Sequence, residues 1–415
     1  MDDRQLYAQI LGIQRPWQVT SVELNRDEGE VRVAVGLRSK KVHCPVCGKV
    51  GSGYGEKQRE WRHLDTCQYR TVLVATVPRV NCKEHGVRQM EVPWAEPGSR
   101  FTALFEALAI DWLRECSAAG VARQLRLSWD QVNGIQGRAV GRGLARRKTR
   151  CPKRIGVDET SFQKRHEYVT IVNDLDAGHV IHVADDHKRE SLDGFYKELG
   201  APACQAIETV AMDMWAPYIS STQAFVPDAA AKVVFDKFHV AQHLGDAVDK
   251  VRREEHRALM AVNDDSLKNS KYLWLTNPTR MSPVHAWRFG PLRDSSLRSA
   301  RAWALKESAM ALWGYKQRGW AERAWERWHS WAIRCRLEPV KRVARMIRKH
   351  WDGVMNAATS SITNARSEST NAKIQRIKRM ACGYRNRDNF RNAIYFHLGN
   401  LSLYPDSINS ANSKA

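Results

Sequence analysis

Residues 17–42 alternate apolar and polar side chains through SVELNRDEGEVRVAVGLRSKKV, the period of half-buried strands, and DEGE marks the turn between two of them. The apolar run TVLVATVPRV predicts another strand, so residues 1–95 read as a small β-rich domain. PWAEPGSR, with two prolines and a glycine, is a linker. Helical periodicity follows. FTALFEALAIDWLREC reads as an amphipathic helix, and a short helix runs on to about Leu127. Ser128 then opens another, with Gln131 three residues on at capping-box spacing. Two helices joined by a tight turn make a helix-turn-helix pattern within 100–154. From residue 155 the strands return as RIGVDETSF, YVTIVNDL and HVIHVADD, then a helical KRESLDGFYKELG, a strand AIETVAMD, a helix and a strand AKVVFDKF. The order over 155–242 is β-β-β-α-β-α-β. Residues 243–355 read as charged helices, and nine of the fifteen tryptophans lie between 274 and 351. Trp313, Trp320, Ala324, Trp328 and Trp331 share one helical stripe, expected to be core. Residues 356–404 carry a last helix, TNARSESTNAKIQRIKR, ended near Gly383, and 405–415 is a polar tail expected to be loose.

Charge changes the picture. The 415 residues carry a net charge of +21 and a pI near 9.8, which points to a polyanionic partner, most simply nucleic acid. No stretch of 18 apolar residues exists, and MDDRQLYAQILGIQ has acids where a secretion signal needs bases, so a cytoplasmic location without membrane contact is expected. Basic side chains concentrate at Arg138, Arg142, Arg146, Arg147, Lys148, Arg150, Lys153 and Arg154, with no acid from 138 to 154. The expectation is that Ser128, Gln131, Asn133 and Arg138 enter a major groove while the basic tail holds phosphates. Nine cysteines in a reducing compartment are thiols or metal ligands rather than disulfides. Cys44-Pro-Val-Cys47-Gly and Cys82-Lys-Glu-His85-Gly are two knuckles whose four soft ligands suit one tetrahedral structural zinc ion, with His43, His63 and Cys67 as alternative ligands.

The strand order from 155 is the start of an RNase H-like fold, in which the first and fourth strands are neighbours. Asp158 in IGVDE and Asp213 in VAMDMW end those strands, so their carboxylates converge, and a convergent pair can bridge two magnesium (or manganese) ions for phosphoryl transfer. Asp236 in VVFDKFH competes for the second position, with His239 one turn beyond it; Glu159, Asp174 and Asp176 read as turn residues. In the last helix Glu368 is the single acid among Arg366, Lys373, Arg376, Lys378 and Arg379. It is either a local ion pair or a third metal ligand. Helical spacing places Asn364, Asn371, Ala372 and Gln375 on its side, and Ile374 and Ile377 on another that can cover a sheet.

CPVCG, the helix-turn-helix, IGVDETSF, MDMWAPYI, FDKFHV and TNARSESTNAKIQRIKRMACGYR together resemble the ISL-three type of DDE transposase of bacterial insertion sequences, in order over roughly residues 10–400. The resemblance implies a multidomain α+β chain. A zinc-binding domain (1–95) and a helix-turn-helix domain (100–154) would precede an RNase H-like mixed-sheet domain (155–242 and 356–404) interrupted by an all-helical insertion (243–355). It implies cleavage and strand transfer at the element's terminal inverted repeats through Asp158, Asp213 and Glu368, with Asp236 and His239 in support. It also implies double-stranded DNA as partner, both element ends and target, and a homodimer or larger assembly on DNA at the bacterial nucleoid. Arg366, Lys373, Lys378 and Arg379 would hold the DNA backbone beside the ions. The acids are 55 and 155 residues apart, and the second gap has room for the helical insertion. Two other classes remain: a non-catalytic zinc and helix-turn-helix regulator, which has no need of the three acids, and a nuclease of the same fold that cuts without joining.

Overall fold

The strands of the described residues fall into two separate sheets. The computed structural model describes residues 2–39, 41–148, 151–163, 167–360 and 365–408; the side chains of 365 and 366 are not described, so Arg150, Asn364 and the Arg366 side chain lie outside it. The chain divides into one unit of residues 1–148, 380–382 and 388–415 and another of 149–379 and 383–387. The segment 356–404 therefore contributes to both.

In the first unit, β1 (Trp17–Asn25) and β2 (Glu30–Leu37) form the expected hairpin. β3 (Val42–His43), β4 (Val50–Arg62), β5 (Arg70–Cys82) and β6 (Gly86–Gln89) complete a sheet of order β1-β2-β5-β4-β3, with β6 on β5. β4 escapes a reading by hydrophobic pattern because glycines and exposed polar residues fill most of it. One face buries Val33, Val35, Leu73 and Val77. Trp17 and Trp61 meet Trp94 edge-on there, with centroids 5.0 and 5.5 Å apart, an arrangement that aromatic quadrupoles favour.

Helices Ala103–Glu115, Ala118–Leu125 and Trp129–Arg146 follow. Ser128 caps the third as its spacing predicts: Gln131 N–H donates to Ser128 Oγ at 3.2 Å, and Ser128 N–H donates to Gln131 Oε1 at 2.8 Å. The turn before it is closed by Arg126 in the left-handed region, whose guanidinium pairs with Asp65. The arginines beyond are not the open phosphate-binding row that the charge pattern suggests. Arg138 donates to the buried Glu106 at 2.9 and 2.5 Å. Arg142 pairs with Glu96 and Glu106 and donates to the Leu403 carbonyl at 3.2 Å. Arg146 donates to the Tyr404 carbonyl at 2.6 Å and to Asp406 at 2.7 Å, and Arg147 to the Gly399 carbonyl at 3.0 Å. Asn133 is buried and donates to the Trp129 carbonyl. Arg142, Arg146 and Arg147 hold helix Trp129–Arg146 to the C-terminal segment, Arg138 ties it to Glu106, and Asn133 bonds within the helix, so these side chains have partners inside the protein while Lys148 remains exposed. The reason is that distant acids and carbonyls, invisible in the local charge run, fold against them.

The second unit is built on β7 (Arg154–Gln163), β8 (Glu167–Asp174), β9 (His179–Asp185), β10 (Thr209–Met212) and β11 (Val233–Phe235), in the order β11-β10-β7-β8-β9. β10 lies parallel to β7 with Ala211 opposite Gly156, and β11 parallel to β10 with Phe235 opposite Met212. The first and fourth strands are thus neighbours, as the pattern predicts. Helices Arg189–Leu199 and Ala216–Phe225 supply Leu192, Tyr196 and Tyr218 to the core. Seven α-helices, from Lys237–Met260 to Trp351–Thr359, form the insertion. Helix Trp351–Thr359 returns to the sheet: Asn356 Nδ2 donates to the Val233 carbonyl at 2.8 Å, and a Cβ on Gly353 would come within 2.3 Å of the Phe235 ring. The expected tryptophan stripe is displaced. Helix Arg318–Arg334 buries Ala321, Trp325, Trp328 and Ala332, while Trp320 and Trp331 are 53% and 43% exposed. A stripe read one residue out of phase accounts for the difference, and Trp313 joins Trp325 from outside the helix, with centroids at 5.0 Å.

Arg142 is a nearly buried cation shared by Glu96, Glu106 and the Leu403 carbonyl; its removal strips these contacts together, although Arg138 still pairs with Glu106. Arg142→Ala is therefore expected to lower the urea midpoint strongly, while Lys148→Ala leaves it unchanged. Equal midpoints for both variants would contradict the structural role given to Arg142.

Candidate functional site

Two clusters of potential metal ligands occur among the described residues. The first joins the ends of three strands in the first unit. Cys44 and Cys47 follow β3, Cys82 ends β5, and His85 sits in the turn into β6. Cys44 Sγ is 3.8 Å from His85 Nδ1, Cys47 Sγ is 3.7 Å from Cys82 Sγ, and Cys82 Sγ is 3.6 Å from His85 Nδ1. Tetrahedral zinc with metal–sulfur bonds of about 2.3 Å separates its ligands by roughly 3.8 Å, so the set fits a closed structural site. Gly48 and Gly86, each just after a knuckle, have φ of +70° and +67°, a turn that glycine makes without strain. The alternative ligands lie elsewhere. His63 is buried against Thr102 Oγ1 at 2.9 Å, His43 Nδ1 faces the Gly48 carbonyl, and Cys67 is exposed.

The second cluster lies just beyond the parallel strands β10 and β11, and Asp158 faces it from the middle of β7 rather than from a strand end, because β7 continues its pairing with β8 as far as Gln163. Asp213 follows β10 and Asp236 follows β11, where it caps helix Lys237–Met260 by accepting the Phe238 N–H at 2.9 Å. His239, on the first turn of that helix, brings Nε2 to 2.7 Å from Asp213 Oδ1. One ligand atom from each of Asp213, Asp236 and His239 lies within 4.8 Å of the others. Asp158 projects from β7, with Oδ1 accepting the Glu159 N–H at 2.8 Å and Oδ2 accepting Asn371 Nδ2 at 2.6 Å. Burial and the charge of Asp213 push the Asp158 carboxyl up to about 7, and contact with Asp213 raises the His239 imidazole. Such displacement marks a site where negative charges are crowded and a cation is favoured. Carboxylate oxygens are the hard donors that magnesium and manganese prefer.

Helix Ala365–Met380 runs along β7 in the same direction. Ser367 sits over Gly156, where a Cβ would approach its Oγ to 2.5 Å; Asn371 reaches Asp158; Gln375 Nε2 donates to Thr160 Oγ1 at 2.9 Å; and Lys378 Nζ donates to the Ser161 carbonyl at 2.8 Å. Ile374 and Ile377 are buried. Glu368 is exposed, one turn before Asn371 on the same side. Its carboxylate stands outside the grouping of Asp213, Asp236 and His239. Lys373, Arg376 and Arg379 are exposed, whereas Lys378 bonds to β7.

A transposase family model matches residues 155–394, more than half of the chain. The chain belongs to the ISL3 family of transposases. Residues 90–140 match the helix-turn-helix domain of that family, and residues 40–85 the zinc finger of the IS204/IS1001/IS1096/IS1165 transposases. The transposase for insertion sequence element IS1557 of Mycobacterium tuberculosis is 29% identical over 420 residues, covering 93% of each chain. The transposase for element IS1001 of Bordetella parapertussis is 26% identical over 414 residues, covering 98% of this chain and 99% of its own. The zinc-ribbon match spans Cys44, Cys47, Cys82 and His85, which agrees with a structural zinc ion. No described helix of this transposase is long and apolar enough to cross a membrane.

Pattern reading passed over several residues of the second cluster. Helical spacing puts Asn371 on the face of Glu368 but does not reveal its partner, Asp158. Glu159, read as a turn residue, lies within β7, where burial raises its carboxyl and His187 and Asp213 act on it electrostatically. Adjacent acids in a strand, as in IGVDET, are the available signal that both faces of the strand end are polar.

Metal analysis of the purified transposase is expected to find about one zinc ion per chain, lost in Cys44→Ser and kept in Cys67→Ser. Full zinc content in Cys44→Ser would refute the ligand set.

Proposed function

We propose that this transposase cleaves and rejoins DNA at the ends of its element through Asp158, Asp213 and Glu368, with the zinc and helix-turn-helix modules binding those ends. The observation that supports it most is the parallel pairing of β7 with β10, which sets Asp158 beside Asp213; burial, and after it the Asp213 charge, push the Asp158 carboxyl up to about 7. The reading of Glu368 as third ligand is supported by helix Ala365–Met380 bonding to Asp158 through Asn371, one turn beyond the exposed Glu368. Two magnesium ions held by these three acids would activate the attacking water or 3′-hydroxyl and stabilise the leaving oxygen. Asn371 fixes the orientation of Asp158, and His239 does the same for Asp213. Asp236 caps the helix that carries His239 and shapes the site from its far side. Lys373, Arg376 and Arg379 offer their charges to the DNA backbone, and Ser128 and Gln131 lie exposed at the start of the recognition helix with Lys148 beyond its end. Pairing two element ends calls for a homodimer or larger assembly on double-stranded DNA, at the bacterial nucleoid in the cytoplasm.

A different ion set, Asp213–Asp236–His239, already has ligand spacing. The two arrangements part on Glu368. With DNA carrying the element's ends and magnesium, Glu368→Gln is expected to reduce cleavage and joining to background while end binding persists, and Asp236→Asn to leave measurable, reduced cleavage. Near-normal cleavage by Glu368→Gln together with a dead Asp236→Asn would transfer the third ligand to Asp236.

A further inference from the structure

Trp215 and Phe238 are large apolar side chains left 43% and 59% exposed at the mouth of the carboxylate cluster. Each stands two residues beyond a site aspartate, Asp213 and Asp236. Each also lies three residues beyond one of the facing pair Met212 and Phe235 of the parallel strands β10 and β11, so both leave the sheet at the same edge. Neither ring is loose. The Trp215 indole N–H donates to the His187 carbonyl at 3.0 Å, and its ring rests against His187 at 5.5 Å, which itself sits edge-on to Tyr168 at 4.9 Å. Phe238 is edge-on to His239 at 5.9 Å, and its N–H is held by Asp236.

We propose that Trp215 and Phe238 form a stacking site for an unpaired nucleobase next to the scissile phosphodiester, an inference that rests on the strand-transfer reading of this same site. A cationic clamp in these positions would pair with Asp213, Asp236 and Asp158 instead of with DNA. An uncharged ring grips DNA beside carboxylates without that competition. With its only polar hydrogen already bonded inside the protein, Trp215 presents a π-face, which stacks on any base and reads no sequence. A base in an intact duplex is sealed in its own stack, so such a surface takes a nucleotide displaced from the helix. The structure thus assigns these rings to opening the duplex at the point of cleavage, apart from the recognition of end sequence.

The test uses the full-length protein and two probes of identical sequence, one duplex fully paired and one with a mismatched bubble carrying 2-aminopurine, with calcium in place of magnesium. Wild type should bind the bubble more tightly and change its 2-aminopurine fluorescence. Trp215→Leu, which keeps apolar bulk without the π-face, should weaken bubble binding about tenfold, the scale of one lost base–aromatic stack, and leave paired binding unchanged. Trp215→Phe should restore most of the preference, and Phe238→Leu should reduce the fluorescence change. Equal affinity of wild type for the two probes, or Trp215→Leu indistinguishable from wild type, overturns the proposal. Cleavage of end DNA by wild type is scored separately; its failure defeats the strand-transfer reading and leaves the bubble preference to be judged alone.

Discussion

Holding Asp158 and Asp213 side by side is unfavourable: each is partly withdrawn from water and each repels the other. The fold sustains the arrangement by making it a consequence of backbone geometry. Once β7 and β10 pair in parallel, with Ile155 and Gly156 opposite Val210 and Ala211, the residues just beyond must emerge together. Everything near the site then reads as management of that charge. His239 lies against Asp213, Asn371 donates to Asp158, and the Glu159 amide donates to the other Asp158 oxygen. Such partners orient the oxygens while leaving a site that gains from a cation.

Reaching that arrangement requires two distant segments to arrive at the same sheet. The helical insertion separates β11 from helix Ala365–Met380 in sequence, yet Asn356 bonds the strand entrance at Val233, and Gly353 lets the Phe235 ring lie flat against the backbone. A side chain at Gly353 would push away the strand that ends in Asp236. On the other flank, Gly156 permits Ser367 to sit on β7, which sets the height at which Asn371 meets Asp158. Helix Trp351–Thr359 and helix Ala365–Met380 are thus positioned by close contacts at small residues together with side-chain hydrogen bonds, and a further helix, Arg387–Leu398, follows them.

How much of this was legible depended on whether the cause was local. Strand order, the Ser128 cap and the zinc ligands follow from short-range pattern, because backbone period, capping geometry and knuckle spacing are local properties. The arginines of helix Trp129–Arg146 read locally as an open basic row, yet Glu96, Glu106 and the carbonyls of 399–404 engage them from far along the chain. The tryptophan stripe failed by a phase error: with tryptophans at 320, 325, 328 and 331, two faces of one helix look equally apolar, and only packing selects Trp325 and Trp328. Lys378 was read as a surface cation, yet β7 offers it a carbonyl. In each case long-range partners, absent from any window of sequence, decided the outcome.

We propose that the parallel β7–β10 pair and the helix lying on β7 build one metal site from Asp158, Asp213 and Glu368. Anomalous diffraction from crystals of the transposase bound to end DNA in manganese addresses it directly. Manganese is expected beside both Asp158 and Asp213, with Glu368 drawn in as a ligand. Manganese confined to Asp213, Asp236 and His239, with Glu368 still in solvent, would contradict it.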